Sequence, residues 1–275
     1  MHGSAKEYNA STQLVMRRLG IELWEIQDWT CCGASSAHAI SRLLGYALPA
    51  RNLQIAEKMG MPLTTSCPAC FSRLKFTTRD LAEDAQLREE VSLAIGKPFP
   101  GKVDVLPVLG TLFPEEVAAA VKKPLRGLKV ACYYGCLFVR PSKVTEFDDE
   151  ENPQSMDRLL AAAGAETIDW AFKTECCGAS MAIARPGEVE RLSGRILAAA
   201  KRLGADCLAV PCAMCQANLD QRQGAISAKR GEDVTIPVLY FTQLLGLALG
   251  FSAKDMMLER HFADPRPLLR AKGLV

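Results

Sequence analysis

The sequence predicts an α/β protein of two tandem duplicated domains, each a mainly parallel sheet flanked by helices. Three observations predict it: a cysteine pattern that recurs at one offset, short apolar runs of strand length, and helical patterns between those runs. Cys176 follows Cys31, Cys177 follows Cys32, Cys212 follows Cys67 and Cys215 follows Cys70, each by 145 residues. The flanks agree: Cys31-Cys32-Gly33-Ala34-Ser35 matches Cys176-Cys177-Gly178-Ala179-Ser180, and Cys67-Pro68-Ala69-Cys70 resembles Cys212-Ala213-Met214-Cys215. Four cysteines and a shared pentapeptide at one spacing mark a duplication.

A chain of 275 residues has room for two domains at about 150 residues each. The boundary is expected near Lys122–Gly127, where KKPLRG separates a helical pattern from an apolar run, giving residues 1–126 and 127–275. Strands are expected over Ile21–Ile26, Val103–Val108, Val130–Tyr134, Thr167–Trp170, Cys207–Val210 and Pro237–Phe241. Most are short, apolar and bounded by Gly, Pro or charge, as parallel strands buried on both faces are. Helical patterns cover Ser72–Ile95, Glu115–Val121, Pro186–Leu203 and Met214–Lys229, and the alternation predicts parallel sheets with helices on both faces.

Composition excludes several function classes. With 33 Lys and Arg against 31 Asp and Glu the net charge is +2, which offers no basic footprint for nucleic acid or anionic lipid. The longest apolar stretch, Leu239–Phe251, falls well short of the ~20 residues of a membrane-spanning helix and reads as a buried helix, so no membrane insertion is expected. The start, MHGSAKEYNAS, has neither the basic nor the apolar region of a secretory signal, so the expected location is the cytoplasm. Structural disulfides are rare there, and 11 cysteines point to metal or redox chemistry instead.

Two adjacent cysteines cannot easily both point at one ion from a relaxed strand or helix, but they can reach different metals of a cluster. Cys-Cys therefore favours a polynuclear centre. A zinc site stays open, because Cys-Cys plus C-x-x-C supplies four thiolates in each half. Each C-x-x-C falls where a loop ends and a helix begins, so backbone amides face whatever the thiolates bind, which suits an anionic sulfur-rich centre. Gly33 and Gly178 sit where a tight turn with positive φ is easy for glycine.

Cys-Cys-Gly, about 35 residues, then C-x-x-C, occurring twice, resembles the CCG cysteine-rich domains of the heterodisulfide reductase B-subunit family. The pattern in that family opens with a further cysteine in a Gly-Cys turn, which the second half has at Tyr133-Tyr134-Gly135-Cys136. Arg140-Pro141, DDEENPQSMD at Asp148–Asp157, LYFTQLLGLALG at Leu239–Gly250 and HFADPRPL at His261–Leu268 extend the likeness over essentially the whole chain. The resemblance implies a noncubane [4Fe-4S] cluster in each complete domain. The second would be held by Cys136, Cys176, Cys177, Cys212 and Cys215; the first, one ligand short, by Cys31, Cys32, Cys67 and Cys70. Matching Cys136 with the first half requires a cysteine just before Met1. The expectation is therefore a start assigned too late, with a strand and Gly-Cys turn upstream, or else a natural loss leaving an altered first cluster.

The resemblance further implies a disulfide-reducing protein of a heterodisulfide reductase complex, receiving electrons through an iron-sulfur C subunit from a flavin-containing A subunit. The disulfide would lie between the clusters, each sulfur being captured by an iron, with two protonations releasing two thiols. The coenzyme M–coenzyme B heterodisulfide or an analogous small-molecule disulfide is the substrate class. The alternative is a non-catalytic electron-transfer or zinc-stabilised CCG-domain protein of another oxidoreductase. No G-x-G-x-x-G follows a strand, so a nicotinamide or flavin site within this chain is unsupported, and no C-x-x-C-x-x-C-x-x-x-C-P ferredoxin run is present, so electrons must come from another chain.

Cys132 and Cys207 lie outside the repeat in apolar runs and read as buried small hydrophobes. His38 and His261 read as structural or surface histidines, and Glu146–Glu151 as a solvated loop with the capacity to dock a basic partner. Trp29, Trp170 and Phe172 precede the CCG motifs and read as packing that shields the clusters.

Overall fold

The computed structural model describes residues 3–34, 36–99 and 103–275. Ser35, the end of the first pentapeptide, and the Met1-His2 start lie outside them. In chain order the elements are α1 (Lys6–Arg18), α2 (Ala37–Ile40), α3 (Arg42–Met59), β1 (Leu63–Thr65), α4 (Pro68–Glu83), α5 (Ala85–Ala94), β2 (Val105–Pro107), α6 (Pro114–Ala120) and β3 (Lys129–Cys132). Then follow α7 (Ser142–Thr145), α8 (Ser155–Ala162), β4 (Glu166–Ile168), α9 (Pro186–Arg202), β5 (Cys207–Val210), α10 (Ala213–Asp220), α11 (Gln223–Arg230), β6 (Val238–Tyr240), α12 (Phe241–Ala248) and α13 (Arg266–Ala271).

Both sheets are parallel, as expected. One has two strands, β1 and β2, with Leu63 opposite Val105; the other runs β4-β3-β5-β6, with Lys129 opposite Glu166 and Leu208 opposite Val238. Cys207, Leu208, Ala209 and Val210 of β5 are all fully buried, so both faces of that strand are covered, which explains its continuous apolar run.

The chain forms two compact units that interleave in sequence: Trp24–Thr111 with Leu137–Glu150, and Met1–Leu23 with Leu112–Cys136 and Glu151–Val275. The expected division at 126/127 differs from this at three segments, residues 1–23, 112–126 and 137–150, and each has a packing or hydrogen-bond cause; in the second of them Leu125 N donates to Ala163 O at 2.9 Å. Tyr8, Val15 and Met16 of α1 form a buried stripe, and α1 packs on α12 of the second-repeat unit. There Tyr8 stacks on Tyr240 with ring centroids 4.2 Å apart, and Ser11 Oγ lies 2.7 Å from Thr242 Oγ1. In the first-repeat unit, Phe138, Val139 and Phe147 of the 137–150 segment join Leu53, Phe71, Leu74 and Val105 in one apolar cluster.

The duplication is visible inside the units. β1 and β5, α3 and α9, and α4 and α10 occupy equivalent repeat positions, and each C-x-x-C helix has its first cysteine, Cys67 or Cys212, in extended conformation at the position just before its first turn. Three expectations are corrected. Ile21–Ile26 forms no strand: no strand among the described residues lies beside it, and its apolar side chains Leu23 and Trp24 stay exposed. The helix expected over Ser72–Ile95 breaks at Asp84, whose extended backbone lets its carboxylate accept from Leu87 N at 2.9 Å and cap a second helix. Met214–Lys229 is likewise two helices, parted at Gln221-Arg222. Leu239–Phe251 is the end of β6 followed by α12, a helix buried on every side. No helix among the described residues is long and apolar enough to cross a membrane.

Candidate functional site

In the second-repeat unit the five expected cysteines come together at the ends of three segments. Cys136 follows β3 through the Tyr134-Gly135 turn, Cys176 and Cys177 precede α9, and Cys212 and Cys215 open α10. Cys177 Sγ lies 3.5 Å from Cys215 Sγ, and the thiols of Cys136 and Cys176 interact with one another, as do those of Cys212 and Cys215. Cys177, Cys212 and Cys215 are buried, Cys136 is half-buried and Cys176 is exposed.

Backbone amides point at the sulfurs. Gly178 N donates to Cys176 Sγ at 3.2 Å, and Cys215 N to Cys212 Sγ at 3.4 Å. Asn218, one turn along α10 from Cys215, donates to Cys177 Sγ at 3.8 Å. Gly135 has φ +71°, and a Cβ there would stand 3.2 Å from Cys215 Sγ, so a side chain in the turn carrying Cys136 would be strained and would crowd that sulfur.

The first-repeat unit repeats the arrangement. Cys32 Sγ and Cys70 Sγ are 2.9 Å apart, Gly33 N donates to Cys31 Sγ at 3.4 Å, and Gly33 has φ +71° where Gly178 has +79°. Cys67 N donates to Thr65 Oγ1 at 3.2 Å. Asn52 of α3 holds Thr30, the residue before Cys31, accepting from its N at 2.9 Å and donating to its O at 2.7 Å. Cys31 is exposed, Cys32 buried, and Cys67 and Cys70 are half-buried.

Thiol pairs share their protons unequally. A hydrogen bond from Cys136 holds Cys176 down at about 6, and one from Cys70 does the same for Cys67, while Cys136 and Cys70 are pushed up as the donors. Cys177 is lowered by Cys215, and Cys32 by Cys70. The Tyr133 ring borders the site, since it and Cys215 Sγ both lie within 4 Å of where a Gly135 Cβ would stand, and its phenol is raised by burial and then by the thiols of Cys215, Cys177, Cys136 and Cys176. Each site thus holds two thiols lowered toward the thiolate, the form that binds metal: Cys32 and Cys67 in the first, Cys176 and Cys177 in the second.

Cys132 and Cys207 are fully buried in β3 and β5 and stand apart from both groups, with burial raising each thiol. Trp170 is buried, donates to Cys132 O at 2.8 Å and stacks on Phe172, a packing role; Trp29 is 46% exposed and donates to Glu25, so it shields little. His38 is exposed and His261 buried. Glu146 pairs with Lys75 at 3.0 Å, and Glu150 accepts from Arg140 through its carbonyl, so the acidic run is tied to its own unit. Among the described residues no three His, Cys, Asp or Glu side chains converge as a single-ion site; the sulfurs are brought together pairwise. Sequence reasoning placed Gly135 in the Gly-Cys turn but missed the roles of Asn218 and Tyr133. Asn218 was findable, since a residue three beyond Cys215 on a helix shares its face.

A family model described as the CCG cysteine-rich domain matches residues 1–75 and 130–220. The membrane anchor protein of the 8-methylmenaquinol:fumarate reductase of Wolinella succinogenes is 34% identical over 96% of this chain and 94% of its own length. The B subunit of the ferredoxin/F(420)H(2)-dependent CoB-CoM heterodisulfide reductase of Methanosarcina acetivorans is 31% identical over 91% of this chain and 87% of its own. Its counterpart in Methanosarcina mazei, the B subunit of a ferredoxin:CoB-CoM heterodisulfide reductase, is 32% identical over the same shares. Among solved structures, a hypothetical protein from Helicobacter pylori superposes with TM-score 0.75 and 15% identity, covering 96% of this chain and 50% of that one; this likeness concerns the fold alone.

Proposed function

The chain belongs to the CCG cysteine-rich domain family, and from that premise we propose that it is the disulfide-reducing member of a cytoplasmic heterodisulfide reductase complex. The supporting observation is the same sulfur arrangement built twice, Cys32 against Cys70 and Cys177 against Cys215, in a chain similar over nine-tenths of its length to heterodisulfide reductase B subunits.

The residues fit an iron-sulfur group. The donors are cysteine sulfurs, amides of Gly178 and Gly33 address them, and Gly135 leaves room where a Cβ would crowd Cys215. Cys136, Cys176, Cys177, Cys212 and Cys215 would hold a noncubane [4Fe-4S] cluster, and Cys31, Cys32, Cys67 and Cys70 a second, incomplete set. When bound, such a group supplies one-electron transfer and iron centres with affinity for sulfur. Around it, buried Tyr133 excludes water, and Asn218 fixes Cys177 through its sulfur and its carbonyl, at 3.8 and 3.5 Å. The net reaction takes two electrons from the partner C and A subunits and two protons, and converts one disulfide into two thiols.

The test is reduction of the coenzyme M–coenzyme B heterodisulfide, and of a panel of small disulfides, by the chain reconstituted anaerobically with its partners. Two thiols released per two electrons consumed supports the reading. A reconstituted complex that passes electrons to fumarate and reduces no disulfide would favour the electron-transfer alternative, consistent with the activity named for the Wolinella relative.

A further inference from the structure

Lys173, three residues before Cys176, is 1% exposed and is one of the largest fully buried side chains. Its ammonium lies 3.2 Å from Asp157 Oδ1 and 3.6 Å from Asp169 Oδ1, and donates to Pro153 O at 3.2 Å. Asp157 is held from the other side, its Oδ2 accepting from Tyr134 OH at 2.6 Å. A buried charge pair is weak evidence for stability, because desolvation offsets its attraction. A different return for that cost is visible in the backbone.

The Lys173 carbonyl accepts from Tyr134 N at 2.8 Å and from Gly135 N at 3.1 Å. On either side of that clamp, Trp170 Nε1 donates to Cys132 O at 2.8 Å and Tyr133 OH to Glu175 O at 2.7 Å. These bonds zip Cys132–Gly135 to Trp170–Glu175, and the next residue on each strand of the zip is a cysteine, Cys136 and Cys176. Lys173 and Tyr134 are joined twice, by backbone and, through Asp157, by side chain. The equivalent position in the first repeat is Asp28, an exposed residue at φ +57° paired with Arg51, so the device belongs to the second repeat.

We propose that Lys173 is a positioning residue whose buried ion pair with Asp157 fixes the carbonyl that sets Cys136 against Cys176. The inference rests on the reading of these two cysteines as ligands, and its test separates the two claims. In the full-length, metal-free chain, a bifunctional thiol reagent such as dibromobimane should link Cys136 to Cys176 and Cys177 to Cys215, identified by peptide mass spectrometry. Lys173→Met should slow the first link by about tenfold, the scale set by misplacing reacting groups by a fraction of an ångström, and leave the second unchanged. Equal rates for the first link in variant and parent, or equal slowing of both links, would overturn the proposal. If Lys173→Met fails to fold, Lys173→Met with Asp157→Asn removes both charges while keeping an acceptor for Tyr134. A slow first link in that folded variant supports positioning; a parental one shows mere neutralisation and overturns it. A parent chain that cross-links normally yet takes up no iron would instead sink the ligand reading.

Discussion

Tyr8 donates a hydrogen bond of 2.9 Å to the carbonyl of Pro211, the residue before Cys212, although 203 residues separate them. The first helix of the chain thereby holds the approach to a C-x-x-C helix of the second repeat, with its ring stacked on Tyr240. Tyr8→Phe keeps the stacking and leaves a buried carbonyl without this donor, which costs about 1–3 kcal/mol. Urea titration should show a lower midpoint at unchanged slope; a midpoint equal to the parent's would mean that the bond is redundant.

The sorting of cysteines predicts unequal outcomes for three similar changes. Cys177→Ser should remove most of the second-repeat iron, because a hydroxyl is a poorer soft-metal ligand than a thiolate. Cys132→Ser and Cys207→Ser, in buried strands, should leave iron content near the parent's. Iron loss equal in all three, measured on anaerobically prepared protein, would show the sorting to be wrong.

Gly135 and Gly20 separate backbone strain from crowding. Both have positive φ, +71° and +77°, so alanine at either costs about 1 kcal/mol, but only at Gly135 does the new Cβ approach a cysteine sulfur. Gly135→Ala should reduce iron retention and Gly20→Ala should not. Equal retention would remove Gly135 from the site.

His261 gives a pH dependence whose sign is fixed by its surroundings. Burial lowers its affinity for a proton, opposed by Asp220, Glu7 and Asp264. Its Nε2 lies 3.0 Å from Gln243 Oε1 and its Nδ1 3.3 Å from Gln216 Nε2, so the neutral ring donates to the first and accepts from the second. Because the folded value lies below the unfolded value of about 6.5, the stabilisation is present above that pH and is lost as pH falls toward the folded value, at no more than about 1.4 kcal/mol per unit. Thermal melts from pH 7.5 to 5 should fall more steeply for the parent than for His261→Gln; parallel curves would refute the assignment.

Much of this was legible from spacing. The 145-residue offset located both sulfur sites, because ligand spacing within a repeat is set by local geometry: Cys32 reaches Cys70 as Cys177 reaches Cys215, over 38 residues in each case. Pairing partners were less legible. Ile21–Ile26 has the apolar character of a strand, but a strand exists only beside another. The repeat partner Glu166–Ile168 is ordered by β3, and no such neighbour flanks Ile21–Ile26 among the described residues. The exchange of α1 and of residues 137–150 between units was invisible for the same reason, since the stripe Tyr8, Val15, Met16 says that α1 is buried without saying against what. Lys173 was missed because a lysine in sequence reads as exposed, and only the converging positions of Asp157 and Tyr134 bury it.

The most direct measurement is joint iron, zinc and acid-labile sulfide analysis of the full chain purified anaerobically. Iron and sulfide are expected in comparable amounts, with a second-repeat share that disappears in Cys177→Ser and survives in Cys132→Ser. About one zinc per repeat with no sulfide, the content expected of two four-thiolate structural sites, would contradict that expectation.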